Sequence, residues 1–355
     1  MKIPLEERIE NFALWFERRN ERPLLGFTLG SYYPLKRYHC RLDGIIGPDD
    51  VVVADYLDDT DRLYELHERA GGDFIFSAAP FWGVPWLEAA LGCGVVADQT
   101  TGSMRSLPPA NPAVPEFSER NPWVAKMLEF IPALAARSRG RYPVGVTLMR
   151  GISDLLSALY GGENFVYRLC DAPDEYEKIV ERLTAFWIAF GRCLLDHLPL
   201  FHGGTGSFVY GVWCPGKLIW LQEDAAALLS PSLYQRFILP ADRAIASAFD
   251  HSIMHLHPTR FIPARFLADT DLSAIELHID HDGPRAEALE SYYQLILAKK
   301  PLYIWGDLTE ADLEFVLNRL PHAGLALNVV VDSPEQANRV WQAACRRSLL
   351  ARRAL

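Results

Sequence analysis

Short runs of β-branched and large apolar residues recur along the chain. They alternate with longer stretches whose apolar positions return every three or four residues. The first pattern predicts strands and the second predicts amphipathic helices. Strands are expected at Leu24–Leu29, Asp73–Ala78, Pro143–Leu148, Gly206–Val212, Ser252–His257, Ala274–Ile279, Leu302–Trp305 and Leu325–Val331. Helices are expected at Asp50–Ala70, Asp174–Leu198, Pro231–Phe249, Gly283–Ala298 and Thr309–Leu320. Pro199 stops the second helix, and Ser230-Pro231 opens the third as N-cap and first helical residue. Alternation of this kind builds parallel βαβ units. Eight units point to a (β/α)8 TIM barrel, with residues 1–355 forming one domain with long loop insertions.

The insertions are Ala79–Arg139 and Phe201–Asp224. The first is marked by Phe81-Trp82, Pro85-Trp86, Pro108-Pro109, Pro112 and Pro115. Insertions of this length serve as lids and pocket walls, or as structural excursions and dimer contacts. The apolar residues of Trp82–Leu91 offer a homodimer face or inward packing.

Composition changes this picture little. A chain of 355 residues buries a large core without a disulfide or metal staple. A formal charge of −10 argues against a surface that tracks nucleic-acid phosphates, while leaving room for a local basic pocket. Cys40, Cys93, Cys170, Cys193, Cys214 and Cys345 are scattered and form no C-x-x-C pair, as expected of reduced thiols in a cytoplasmic protein. The N-terminal stretch is charged and amphipathic, unlike a signal peptide. The most apolar helical stretch, near Leu183–Leu198, carries Arg192, Asp196 and His197, so a core helix is expected there and no membrane span.

In a barrel, reactive groups collect where strands end. That rule selects Thr28–Tyr33, Ser77–Trp82, Thr147–Asp154, Tyr210–Cys214, His255–Arg260, Glu276–Asp282, Asp307 and Asn328–Asp332. The strongest constellation is Met254-His255-Leu256-His257-Pro258. Histidines at i and i+2 on a strand end share a face, and two imidazoles there can bind a metal, hold an anion or shuttle protons. On the next strand Glu276, His278 and Asp280 share a face, adding imidazole and carboxylate for an open metal site or acid–base work. Tyr210, Trp213 and Cys214, in GSFVYGVWCPG, offer a pocket wall for a flat ligand or aromatic core packing. Asp224 lies within reach of the barrel mouth. There is no phosphate-binding glycine loop, no G-x-S-x-G elbow and no H-E-x-x-H.

Along nearly its whole length the chain resembles the uroporphyrinogen-decarboxylase family and its relatives, the cobalamin-dependent (corrinoid) methyltransferases. The landmarks are Arg22-Pro23, Asp73–Ser77 (DFIFS), Tyr142–Leu148 (YPVGVTL), Asp224 with Ser230-Pro231, Tyr234–Pro240 (YQRFILP), His255-x-His257, Trp305–Leu308 (WGDL) and Ser333–Val340 (SPEQANRV). The resemblance implies a (β/α)8 barrel. It also sets Thr28 and Tyr32 where the decarboxylase has arginines, Ala78 at its central aspartate, Gly151 near its tyrosine and Ala326 near its late histidine. A site lacking those groups holds neither pyrrole N–H groups nor a polyanionic tetrapyrrole. The methyltransferase branch binds zinc through His-x-Cys and a late Cys. Here His257 replaces the first Cys, and the late position falls at Leu327–Asn328, with Glu276, His278, Cys214 and Asp332 as replacements.

The resemblance therefore implies a zinc-dependent methyltransferase acting on a small thiol or methylated compound, with corrinoid delivered by a partner protein. His255, His257 and Glu276 are the expected ligands. Glu276 doubles as a general base, His278 takes part in catalysis, and Tyr210 and Asp307 line the pocket. Tyr33, Trp82 and Trp213 are expected substrate contacts. The alternatives are a decarboxylase of a tetrapyrrole or other carboxylated ring, with Arg150 and Arg260 on the carboxylates, and a non-catalytic small-molecule-binding barrel.

Overall fold

The computed structural model describes residues 3–29, 42–101, 103–207 and 211–346. Tyr33, Tyr210 and Cys40 fall outside the described residues. Seven parallel strands form one sheet flanked by helices: β1 (Leu24–Leu29), β2 (Met149–Arg150), β3 (Leu218–Gln222), β4 (His251–Leu256), β5 (Ala274–Ile279), β6 (Leu302–Gly306) and β7 (Leu325–Val331). Their spatial order is β1-β7-β6-β5-β4-β3-β2. From β3 to β7 each strand lies beside its predecessor in sequence, as right-handed βαβ crossovers produce. The strands are buried on both faces, which explains their nearly continuous apolar runs.

Three strand expectations are corrected. After β2 the next strand of the sheet is Leu218–Gln222; of the expected Gly206–Val212, residues 208–210 lie outside the described residues and Ser207 meets Val146 through an isolated parallel bridge. Gly204–Gly206, overlapping the start of that segment, pairs antiparallel with Trp213–Pro215 just beyond its end. Gly206, Gly211 and Pro215 punctuate that stretch, and glycine and proline interrupt a ladder. Asp73–Ala78 and Pro143–Leu148 run extended but touch through an isolated parallel bridge, Ala78 to Val144, rather than a full ladder. Pro143 has no N–H to give, and its carbonyl accepts from Ala78 N at 3.0 Å. Asp73 N donates to Leu25 O at 2.8 Å, tying the first of these segments to β1.

The chain can pass this closely because of Gly145. A Cβ added there would lie 1.9 Å from the Gly206 carbonyl oxygen. Asp73 itself is a knot of contacts. Fully buried, it receives both terminal nitrogens of Arg22 at 2.7 Å, Leu25 N at 2.9 Å and Asn11 Nδ2 at 2.9 Å. The Arg22-Pro23 landmark is thus an ion pair that fixes the entry to β1.

The long helices fall where predicted, at Ala54–Ala70, Pro173–His197 and Glu310–Arg319. The helix expected over Pro231–Phe249 contains a π-helical turn at Tyr234–Ile238, ending two residues before Pro240. A proline inside a helix removes a donor and crowds the preceding turn, and the wider turn accommodates it. The first insertion holds a short helix, Trp86–Ala90, and two strands, Gly94–Asp98 and Ser103–Leu107; Gly94–Asp98 pairs antiparallel with Ser103–Leu107 on one side and with Gly44–Ile46 on the other. Among the described residues no helix is long and apolar enough to cross a membrane.

Candidate metal and catalytic centre

Parallel pairing in register carries side chains of one row to the same face. Gln222 lies opposite His255, His255 opposite Glu276, and Glu276 opposite Tyr303. One pleat further, His278 lies opposite Trp305, which lies opposite Asn328. Beneath them an aromatic floor forms where the Tyr303 ring meets Phe74 and Trp220, at centroid distances of 5.4 and 5.9 Å. A polar row therefore sits on an apolar base, with Glu276 wholly buried and His255 and His278 almost so.

The histidines are oriented by carboxylates. His255 Nδ1 meets Glu276 Oε2 in a short contact, and His257 Nδ1 lies 2.8 Å from Asp280 Oδ1. With both Nδ1 atoms taken, the two Nε2 atoms turn toward each other and stand 3.0 Å apart. Two lone pairs cannot face at that distance without a cation between them, either a proton or a metal ion. Protonation follows the surroundings. Burial and the neighbouring charge of His257 push His255 down to about 3. Burial also opposes charge on His257, but the hydrogen bond to Asp280 and the charges of Asp224, Asp280 and Glu276 prevail and raise it to about 9. Asp280 is lowered by its bond to His257. Glu276 is raised by burial to about 7, against the pull of His278.

Among the described residues, two overlapping groups could hold a metal, and they share His255: Asp224 with His255 and His257, and His255 with Glu276 and His278. Asp224 follows β3, and Gln222 Nε2 donates to its Oδ2 at 2.7 Å. In the inner group, His278 Nδ1 and Glu276 Oε1 lie 3.4 Å apart, and both are buried without a hydrogen bond.

The turn carrying Asp224 is tied to its neighbour twice. Glu223 accepts from Ile152 N at 2.6 Å and Ser153 N at 2.8 Å, together with Ser153 Oγ, and so caps the helix Ile152–Tyr160. Asp154, on that helix, accepts in return from Ala225 N at 2.8 Å and Asp224 N at 3.3 Å. Burial raises Asp154, Glu223 and the adjacent Asp242 above the usual carboxylate range.

The other expected site residues are dispersed. Asp307 stands at the rim, 2.8 Å from exposed His281. Arg260 is exposed, and Asp332 is exposed after β7. Trp213 is buried, donating its indole N–H to Phe201 O at 2.9 Å. Cys214 is buried beside Pro215, its thiol pushed well up by burial. Arg150 and Trp82 line one cleft with Glu88, and neither His255 nor His257 is part of its lining. Sequence reading did not assign a role to Gln222, Glu223 or Glu88. Asp280 was legible only as sharing a face with Glu276.

No protein-family model and no curated protein matches the sequence. A solved methyltransferase from Methanosarcina mazei is similar in structure, with a TM-score of 0.61 at 14% identity over 98% of this chain and 99% of that one. At that identity the likeness concerns the fold. A crystal structure of KGPDC from Streptococcus mutans aligns over 62% of this chain and 92% of its own, with 11% identity and a TM-score of 0.27, too weak to bear on the fold.

Proposed function

We propose that the chain is a metal-dependent methyltransferase-like enzyme, folded as one closed (β/α)8 barrel, with its metal held by Asp224, His255 and His257. Closure is supported by the hydrogen bonds that continue from β1 through Asp73–Ala78 to Pro143 and so toward β2. The single observation behind the metal is the convergence of two Nε2 atoms at 3.0 Å, each imidazole backed by a carboxylate at Nδ1. Histidine ligands are oriented in this way, the carboxylate fixing the tautomer and raising basicity. In this reading Glu276 and Asp280 are orienters, and Asp224 is the third ligand. Gln222 holds one oxygen of Asp224 and leaves the second for the ion.

The donor set of two imidazoles and a carboxylate suits zinc with an open position. Zinc bound there would keep a small thiol deprotonated near neutral pH. The protein's own groups do the rest. His255 and His257 would hold the ion through unprotonated Nε2 atoms, Glu276 and Asp280 would keep both rings aligned, and the packed rings of Phe74, Trp220 and Tyr303 would form the base of the site. The methyl donor is proposed to be a corrinoid carried by a partner protein. The methyltransferase of similar fold supports this choice over decarboxylation, as does the absence of acidic and basic residues at Ala78 and Thr28.

Protein purified without chelator should carry about one tightly bound metal ion per chain, with zinc the expected element by mass spectrometry. His255→Ala, His257→Ala and Asp224→Ala should each lose it while keeping the fold. Metal-loaded protein should move a methyl group between methylcobalamin and small thiols. A folded native protein with no affinity for zinc would overturn the reading.

A further inference from the structure

The cleft that holds Arg150 measures ≈ 580 Å³, its solvent-open mouth included, and is lined by Trp82, Val84, Pro85, Glu88, Met104 and Arg150 among others. Its walls mix apolar and polar surface, and its two charged groups, Glu88 and Arg150, are incompletely hydrogen-bonded within the protein. Glu88 is 2% exposed, and its Oε1 accepts no hydrogen bond. That oxygen stands 3.3 Å from Arg150 Nε, an ion pair without hydrogen-bond alignment. Arg150 is 44% exposed in its side chain, and among the described residues its terminal nitrogens donate to no acceptor. A buried carboxylate wanting a donor and a guanidinium wanting an acceptor therefore sit side by side. For the buried Glu88 oxygen the unmade bond is costly unless a ligand makes it, while the part-exposed Arg150 fork stays open to an incoming acceptor.

We infer that this cleft binds the head group of a small zwitterionic ligand, an α-amino acid, with its carboxylate on Arg150 and its ammonium on Glu88. A lone anion would satisfy Arg150 and leave Glu88 Oε1 without a donor. A lone amine would do the reverse. Adjacent carboxylate and ammonium groups satisfy both. The register gives the direction of the tail. Arg150 is opposite Gln222, and Gln222 is opposite His255, so the Arg150 and His255 backbones are two strand spacings apart, roughly 10 Å. A ligand held by its head at Arg150 can extend a short apolar side chain past Trp82 and Met104 toward the paired Nε2 atoms. This inference rests on the proposed centre only for that direction, since the head-group contacts involve none of its ligands.

The test is calorimetric titration of the full chain with three matched probes. L-Norleucine carries both charges, hexanoate lacks the ammonium, and pentylamine lacks the carboxylate. Norleucine should bind at least roughly tenfold more tightly than either of the others. In Arg150→Met the advantage over pentylamine should vanish, and in Glu88→Gln the advantage over hexanoate should vanish. The wild-type ranking needs no variant, so a misfolded mutant does not rescue the idea. Equal binding of hexanoate and norleucine would overturn it, as would norleucine affinity unchanged in both variants, or no heat from any probe. Repeating the titration on metal-stripped protein separates the two readings. Norleucine binding without zinc affinity would sink the metal centre alone, and zinc binding without norleucine binding would sink the head-group site alone.

Discussion

Asp242 offers a quantitative test of how the site is supported. It is wholly buried on the helix Leu239–Ser247, and Tyr234 donates its hydroxyl to Oδ2 at 2.5 Å. Burial, with the charge of Asp154 adding to it, raises its pKa from 3.8 to about 7, while hydrogen bonds from Tyr234 and Glu223 pull the other way. An acid raised in the fold prefers its protonated form there. Its contribution to stability is therefore full below pH ~4, where it is protonated folded or unfolded, and it declines as pH rises to ~7, beyond which the loss is complete. At about 1.4 kcal/mol per pH unit the whole loss is about 4 kcal/mol as an upper bound, of which about 2–3 kcal/mol falls between roughly pH 5 and pH 8. Asp242→Asn keeps an acceptor for Tyr234 and does not titrate. Ionisations that do not involve Asp242 are common to both proteins and cancel in the comparison, while Glu223, which the Asp242 charge helps to raise, ionises more easily in the variant and shifts the gap in the same direction. The variant should therefore gain about 2–3 kcal/mol on the wild type between those pH values. For 355 residues this is a relative rise of roughly 3 °C in Tm. Paired thermal or urea unfolding at the two pH values measures it. An equal stability gap at both, or one that shifts toward the wild type at the higher pH, refutes the reasoning.

Three further outcomes follow from the contacts described. Glu276→Gln should keep the fold yet weaken zinc binding by about 10- to 100-fold in a chelator competition, because His255 loses the charge that holds its Nδ1 proton. Retention of full affinity would place Glu276 outside the metal's surroundings. Asp73→Ala should cost about 3–5 kcal/mol in urea unfolding, since Arg22 is left unpaired and Leu25 N loses its acceptor. A loss below about 1 kcal/mol would show that the pair is not a structural anchor. Gly145→Ala should destabilise by at least about 1–3 kcal/mol, because its Cβ would meet the Gly206 carbonyl at 1.9 Å and backbone must move. A neutral effect in thermal melts would show that these segments do not pass so closely.

Much of the sheet was legible. Ala274–Ile279 and Leu325–Val331 are strands over the expected residues, and His251–Leu256 is displaced by one. Each is an apolar run bounded by turn residues, a pattern the buried parallel strand imposes. Leu218–Gln222 was hidden because all five of its residues are buried, so it shows no alternation, and the neighbouring GSFVYGVW imitates a strand more closely. That displacement also obscured Asp224, whose importance comes from following a sheet strand directly. Period-two spacing brought out His255 with His257 and Glu276 with His278, since it depends on one strand at a time. The pairing of His255 with Glu276 and of His257 with Asp280 depends on the register between strands, which no local pattern encodes. The Glu88–Arg150 pair joins an insertion helix to β2 across more than sixty positions, so neither residue announces the other.

The exchange of contacts between Glu223 and Asp154 has a consequence for inheritance. Glu223 holds the amides that begin the Ile152–Tyr160 helix, and that helix's Asp154 holds the amides around Asp224. Neither loop has a shape of its own to pass on. A descendant that altered residue 154 alone would shift Asp224 without touching it, and one that altered Glu223 alone would loosen the helix behind Arg150. The two segments should therefore change together or not at all, and the smallest unit that can be transplanted into another barrel is the pair.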